Sequence, residues 1–215
     1  MDINGLVIKY EAFIFDFDGV IVDSLAIKAE AFGLLFADLG TEVMKRVKEH
    51  HLNNGGVSRY EKFQYYFQEY RGREITTQES AALDQQYSDL VVRKVIEAKT
   101  IPGVMEFLTL IKASGKFCCV VSATPQKEIR HIVEERKMSG FFAEVLGSPR
   151  SKNENVGILF ERNKLVAQMT IYFGDAKSDY EAAKSYGLNF IGIAAAQGGE
   201  LNAVKGIQLI QNFLY

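Results

Sequence analysis

Cysteine is scarce in this chain, with two in 215 residues, adjacent at Cys118 and Cys119. No Cys-x-x-Cys spacing occurs, so neither a disulfide framework nor a thiolate metal site is read here, and both thiols are expected to be buried. On a strand the two would point to opposite faces. Proline is also rare, at three residues, while 47% of the chain is hydrophobic, enough for a substantial core with room for one inserted lobe. Neither sign of charge is in excess: 25 basic and 27 acidic residues leave a formal charge of -2, which gives no overall electrostatic case for a nucleic acid or an anionic membrane as partner. No apolar run approaches the roughly 20 residues that span a bilayer. The opening Met-Asp-Ile-Asn-Gly carries no basic segment followed by an apolar run and cleavage site, so a cytoplasmic location is the expectation. Internal repeats and low-complexity tracts are absent.

What is present begins at Phe13-Ile-Phe-Asp-Phe-Asp-Gly-Val-Ile-Val-Asp-Ser24. Residues 12–15 are all apolar, as in a strand covered on both faces, and Asp16 and Asp18 follow where that strand reaches its carboxyl end. Ligands of open α/β sheets bind at that end. If the extended conformation persists, positions 16 and 18 share one side, and Gly19 lets the backbone turn sharply. Two carboxylates about 4 Å apart repel by roughly 4 kcal/mol at an effective dielectric of 20, so such a pair calls for a cation, a shared proton or a shifted pKa. An ordinary Asp-Gly turn after a strand is the competing reading.

From residue 25 to residue 99 the periodicity is helical throughout. Helices are expected over 25–39 with Gly40 as a stop, from Thr41 and Glu42 to Leu52, after an N-cap at Ser58 through an aromatic stripe of Tyr60, Phe63, Phe67 and Tyr70, and over 80–99 after a cap at Thr76 or Thr77. Beyond Pro102-Gly103 the pattern alternates. Helices are expected over 104–113, 125–137, 155–163 and 178–186, and strands over 116–121, 143–147, 170–173, 189–193 and 207–210. Alternation of this kind implies right-handed crossovers and a doubly wound, mostly parallel sheet, hence an α/β core from residues 1–24 and 100–215 with an all-helical insertion at 25–99.

Other strands bring polar groups to the same edge. The strand over 116–121 ends in Ser122-Ala123-Thr124-Pro125, a hydroxyl and a run of backbone N–H groups ahead of a helix, which suits phosphate oxygens or simply caps the helix. The strand over 170–173 ends in Gly174-Asp175-Ala-Lys-Ser-Asp179, two carboxylates one helical turn apart that could cap a helix or ligate a hard cation such as Mg²⁺. In the polar loop Ser148-Pro-Arg-Ser-Lys-Asn153, Lys152 could reach inward to offset that negative charge, with Arg150 as competitor.

Taken in order, Asp16-Phe-Asp18-Gly-Val, the strand ending in Ser122, then Lys152, then Gly174-Asp175-x-x-x-Asp179, these segments resemble the four motifs of the haloacid dehalogenase superfamily of phosphotransferases. The insertion resembles the mobile helical cap of the subgroup that includes phosphoglycolate phosphatase and β-phosphoglucomutase. The resemblance implies a Rossmann-like core and assigns roles. Asp16 would be the nucleophile, forming an aspartyl-phosphate, and Asp18 the acid and base. Mg²⁺ would be held by the Asp16 carboxylate, the Asp18 backbone carbonyl, Asp175 and Asp179. Ser122, the amides around Ala123 and Thr124, and Lys152 would bind the phosphoryl oxygens. Dehalogenases lack the second Asp of the first motif, so Asp18 argues for phosphoryl chemistry. Two departures stand out: no proline follows Lys152, and Lys28 stands where many capped relatives carry a His near the leaving group. Gly55-Gly-Val-Ser-Arg59 resembles a substrate-contacting cap loop, in which Arg59 would clasp a distal anionic group. The expectation is a Mg²⁺-dependent phosphatase for a small phosphorylated metabolite, such as a sugar phosphate, acting as a monomer or small homo-oligomer. A phosphomutase and a catalytically silent metabolite-binding module are the alternatives.

Overall fold

The computed structural model describes residues 2–194 and 199–214. Six parallel strands form one sheet in the order β3-β2-β1-β4-β5-β6: β1 Ala12–Phe15, β2 Phe117–Pro125, β3 Glu144–Ser148, β4 Thr170–Gly174, β5 Asn189–Ile193 and β6 Gln208–Ile210. The chain winds from β1 out to β3 on one side, then crosses over to β4 on the other. That reversal flanks the end of β1, the place where an open α/β sheet leaves a crevice.

Alternation along the strands fills both faces. Phe13 and Phe15 pack on one side with Ile171, Phe173 and Phe107, the rings of Phe15 and Phe173 stacked at 4.8 Å. Ile14 and Tyr172 pack on the other with Val156, Leu159 and Ala182. Helices α1 Ile3–Lys9, α6 Val104–Ala113 and α7 Gln126–Glu135 contribute to the first face, α8 Lys152–Asn163 and α9 Lys177–Ser185 to the second. Cys118 and Cys119 are free, buried and on opposite faces, as alternation requires. Burial pushes both thiols up, which leaves them protonated and inert.

Between β1 and β2 the chain is helical: α2 Leu25–Leu35, α3 Thr41–Leu52, α4 Arg59–Arg71 and α5 Thr77–Glu97. Ser58 caps α4 by accepting from the Glu61 N–H, and Gly72 ends it in the left-handed region at φ 66°. Thr76 and Glu79 form a capping box at the start of α5. The aromatic stripe is largely core, with Phe63 and Phe67 buried, and Tyr66 joins it fully buried against Phe32 and Phe36. The two chain crossings that tie these helices to the sheet run side by side. Asp23 N–H donates to Lys99 O and Ile101 N–H to Ile21 O, both at 2.9 Å.

Several boundaries differ from the sequence expectation. Helix α1 lies in a segment where none was expected, although Asp2 caps it through Gly5 N–H and Ile3 and Val7 bury its inner side. The helix expected over 25–39 ends at Leu35, and a separate 3-10 turn covers Ala37–Leu39. Strand β2 continues past Val121 through Ser122, Ala123 and Thr124, because Pro125 regains pairing with Ser148 of β3 after a bulge; Pro125 is therefore the N-cap of α7. Helix α8 begins at Lys152 and not at Asn155, since Ser151 and Glu154 form a capping box.

Candidate active site

Asp16 leaves the end of β1 with its N–H still donating to Phe173 O of β4 at 2.9 Å, so the sheet holds its backbone in place. Its carboxylate accepts from Phe17 N–H at 2.6 Å and from Lys152 Nζ at 2.7 Å. Lys152 also donates at 2.7 Å to Asp179, whose same oxygen takes the Tyr172 hydroxyl at 2.7 Å while the other accepts from Ala176 N–H at 3.1 Å. Starting the helix at residue 152 is what aims this ammonium inward; Arg150, the competing cation, is exposed on the preceding turn. Gly19, at φ 77°, lets the loop after Asp18 pass so close to Asp175 that a Cβ there would sit 2.5 Å from its carboxylate oxygen.

Asp16, Asp175 and Asp179 each offer a carboxylate oxygen, and these lie within 4.8 Å of one another. Lys152 is the ammonium that pairs with Asp16 and Asp179, whereas among the described residues no hydrogen bond or ion pair reaches Asp175. Burial, with Lys152 opposing and Asp179 and Asp18 adding, pushes Asp16 up to about 7. Burial, then the charges of Asp16 and Asp179 with Lys152 opposing, push Asp175 well above the usual carboxylate range. Three convergent carboxylates with one ammonium among them are under-neutralised, and their hard oxygens fit a small divalent cation.

Asp18 is held differently. It accepts from Ser24 Oγ at 2.6 Å, from Thr124 Oγ1 at 3.0 Å and from Lys28 Nζ, which also donates to Thr124 Oγ1 at 2.7 Å. Burial works against its charge, but the Lys28 ammonium and these hydrogen bonds override that and hold the carboxyl below its usual range. Ser122 is buried at the same strand end, its Oγ accepting from Thr124 N–H at 3.1 Å.

The helical insertion closes over these groups. Between them lies a partly open cavity of about 40 Å³ whose walls include Asp16, Asp18, Asp175, Ser122, Ala123 and Thr124 from the sheet edge and Lys28, His51, Arg59 and Lys62 from the insertion. Arg59 is on this wall but is engaged: its two terminal nitrogens meet Glu128 of α7, Asp84 and Ser88, and its guanidinium lies 4.5 Å from the Tyr87 ring centre. A cation so compensated is a tie between insertion and core, which differs from the free anion clasp expected of it. Gly56 lies against Ser178 of α9 with no room for a side chain.

A family model for the haloacid dehalogenase-like hydrolases matches residues 13–193. The chain belongs to the haloacid dehalogenase-like hydrolases. Within that family it is similar to a phosphoglycolate phosphatase from Aliivibrio fischeri, 28% identical over 80% of this chain and 79% of that one. It is also similar to a phosphorylated carbohydrates phosphatase from Thermotoga maritima, 25% identical over 84% and 83%. Among solved structures, the β-phosphoglucomutase of Clostridium difficile superposes with a TM-score of 0.77 at 20% identity over 95% of this chain and 92% of its own. A predicted phosphoglycolate phosphatase from Haemophilus somnus 129pt does so at 0.74, 20% and 95% of both. At that identity the superpositions show the shared haloacid dehalogenase-like fold.

Sequence reading missed several members of this haloacid dehalogenase-like site. Tyr172 carried a signal, since alternation from Phe173 points it to the face where Asp179 returns. Ser24, His51, Lys62, Ser88 and Glu128 carried none, because helices bring them together from distant parts of the chain.

Proposed function

We propose that this protein is a Mg²⁺-dependent phosphatase that hydrolyses a small phosphorylated metabolite through an aspartyl-phosphate on Asp16. The observation that supports it best is the cluster of Asp16, half-buried Asp175 and Asp179 gathered at the ends of β1 and β4, of which Asp16 and Asp179 share one lysine, at a cavity between the sheet edge and the insertion. Asp16, the Asp18 carbonyl, Asp175 and Asp179 would hold Mg²⁺, which supplies positive charge against the anionic oxygens of the substrate. An ionised Asp16 oxygen attacks phosphorus, and the bond to the ester oxygen breaks as the Asp16–phosphorus bond forms. Lys152 and Ser122, with the amides of Ala123 and Thr124, bind the equatorial oxygens. Asp18 protonates the departing alkoxide and then takes a proton from the water that hydrolyses the intermediate. Lys28 keeps Asp18 ionised in the ligand-free state, which suits the base role; for the acid role Asp18 must first take up a proton, which the Lys28 ammonium hydrogen-bonded to it can supply, before passing it to the alkoxide. The insertion over 25–99 serves as the cap that excludes bulk water and selects the ester.

The test is phosphate release from a panel of small phosphomonoesters. Turnover should require Mg²⁺, vanish on chelation and return when the ion is restored. It should fall by at least about 10⁴-fold in Asp16→Asn, because the substitution removes the attacking carboxylate. No turnover by well-folded protein would remove the phosphatase reading, and isomerisation of a sugar phosphate without phosphate release would replace it with a mutase.

A further inference from the structure

Asp179 is fully buried, and its two oxygens already serve three donors. One accepts from Lys152 Nζ and from the Tyr172 hydroxyl, each at 2.7 Å, and the other accepts from Ala176 N–H at 3.1 Å. Its Cβ backs onto the end of β4 so closely that a Cβ at Gly174 would sit 2.2 Å from it. Two of the three donors have an evident purpose: Ala176 is the N-cap of α9, and Lys152 joins Asp179 to Asp16. Tyr172 differs. It is not on the wall of the cavity, and its ring is buried on the second face of the sheet with Ile14, Val156, Leu159 and Ala182. Packed there, the ring sends its hydroxyl to one hydrogen-bond partner among the described residues, Asp179. A phenol that faces a carboxylate must donate, and a hydrogen bond to an ionised acceptor is roughly twice as strong as one between neutral groups.

We infer that Tyr172 is a positioning residue: its hydroxyl commits Asp179 to anchoring Lys152 and limits how far Asp179 acts as a ligand of the metal. The inference rests on the phosphatase reading for the tasks of Lys152 and the metal. An ammonium has three N–H groups. Asp16 and Asp179 take two, which leaves one for a phosphoryl oxygen, and its direction follows from where the other two are held. Without the phenol, that Asp179 oxygen has one donor in place of two. It then draws Lys152 away from Asp16 and has a lone pair free for a small divalent cation. The two consequences run in opposite directions, with the cation bound more tightly and the lysine aimed less well. A residue that only filled space would, on truncation, loosen both.

Tyr172→Phe separates these cases, because it keeps the ring in its packing and removes only the hydroxyl, and it is expected to fold. Metal-free wild type and variant are titrated with MgCl₂ by calorimetry, and phosphate release is followed at saturating Mg²⁺ on the phosphomonoester panel. In Tyr172→Phe the affinity for Mg²⁺ should rise by roughly 3- to 10-fold, part of what a hydrogen bond to a charged group contributes. At the same time kcat should fall by roughly 10- to 100-fold, as for a catalytic group misplaced by about 1 Å, with KM changed less. Phe190→Leu disturbs the packing of Tyr172 through a ring 6.2 Å away and leaves the hydroxyl in place, so both quantities should stay near wild type. Site-specific 3-fluorotyrosine at position 172, a stronger donor of nearly the same shape, should weaken Mg²⁺ binding, and it decides the matter if Tyr172→Phe fails to fold. Unchanged or weaker Mg²⁺ binding in Tyr172→Phe, an unchanged kcat, the same pattern in Phe190→Leu, or unchanged or tighter Mg²⁺ binding with 3-fluorotyrosine would overturn the assignment. If Mg²⁺ binds more tightly to Tyr172→Phe but wild type releases no phosphate from any ester, the phosphatase reading fails and the hold of Tyr172 on Asp179 stands.

Discussion

The floor and the roof of the cavity are built on opposite electrostatic plans. The floor, at the ends of β1 and β4, gathers Asp16, Asp175 and Asp179 with one lysine among them. The roof, on α2, α3 and α4, gathers Lys28, His51, Arg59 and Lys62. Each half alone is crowded by like charge, and part of that charge is offset, in the floor by Lys152 and on the roof by Asp18, Glu128 and Asp84. Among the described residues neither Asp175 below nor Lys62 above has an ion-pair partner. Under the proposed function the floor would set the chemistry and the roof the choice of molecule, and the two can be perturbed separately.

The strongest way to test that separation is at the Lys28–Asp18 contact that crosses it. Asp18→Asn removes the acid and base from the floor while Lys28 remains on the roof, and kcat should fall by roughly 10²- to 10⁴-fold for every ester alike, read from steady-state rates. A loss that depended on the ester's tail would merge the two regions. Next in size is the tie between roof and core. Arg59 and Glu128 are both nearly enclosed, so Glu128→Ala leaves a buried guanidinium short of a partner and should lower stability by about 3 kcal/mol in denaturant titration. The double change Arg59→Met with Glu128→Leu should recover much of this, whereas a tie that matters little would leave both variants unchanged.

The last comparison concerns pH. Burial, reinforced by Lys28, brings Lys62 from its ordinary 10.5 to about 7. Between those values the unfolded chain holds a proton that the folded chain has released, so stability from this residue rises with pH across that window. Wild type should gain about 1.4 kcal/mol per pH unit relative to Lys62→Met between pH 7 and 10, seen as converging midpoints in paired denaturation curves. Parallel pH profiles would show that Lys62 is not desolvated as the structure has it.

The same contrast explains what could be read in advance. Asp16, Asp18, Ser122, Asp175 and Asp179 were visible because strands announce themselves by apolar runs and their ends by the first polar residue, and a parallel sheet places all such ends on one edge. Lys152 was visible as a candidate, but its rank over Arg150 came from a capping box at Ser151 and Glu154 that fixes where α8 starts. The roof was opaque. Periodicity located its four helices and their inner faces, yet which helices meet, and hence that His51 on α3 faces Lys62 on α4 or that Arg59 meets Glu128 across a long stretch of chain, depends on packing angles that a single sequence does not encode locally. Arg59 shows the cost: its type and place suggested a ligand clasp, and the carboxylates that occupy it lay far off in the chain.

The paired crossings between Ile21 and Thr100 carry one more consequence. Because the insertion leaves and returns through neighbouring hydrogen-bonded backbone, Asp23 to Lys99 and Ile101 to Ile21, its two ends sit almost where a short turn would put them. The sheet therefore sees the whole helical segment as a widened loop, and its own winding does not depend on what that loop contains. Exchange of one such segment for another of different lining should therefore leave the carboxylate edge in register.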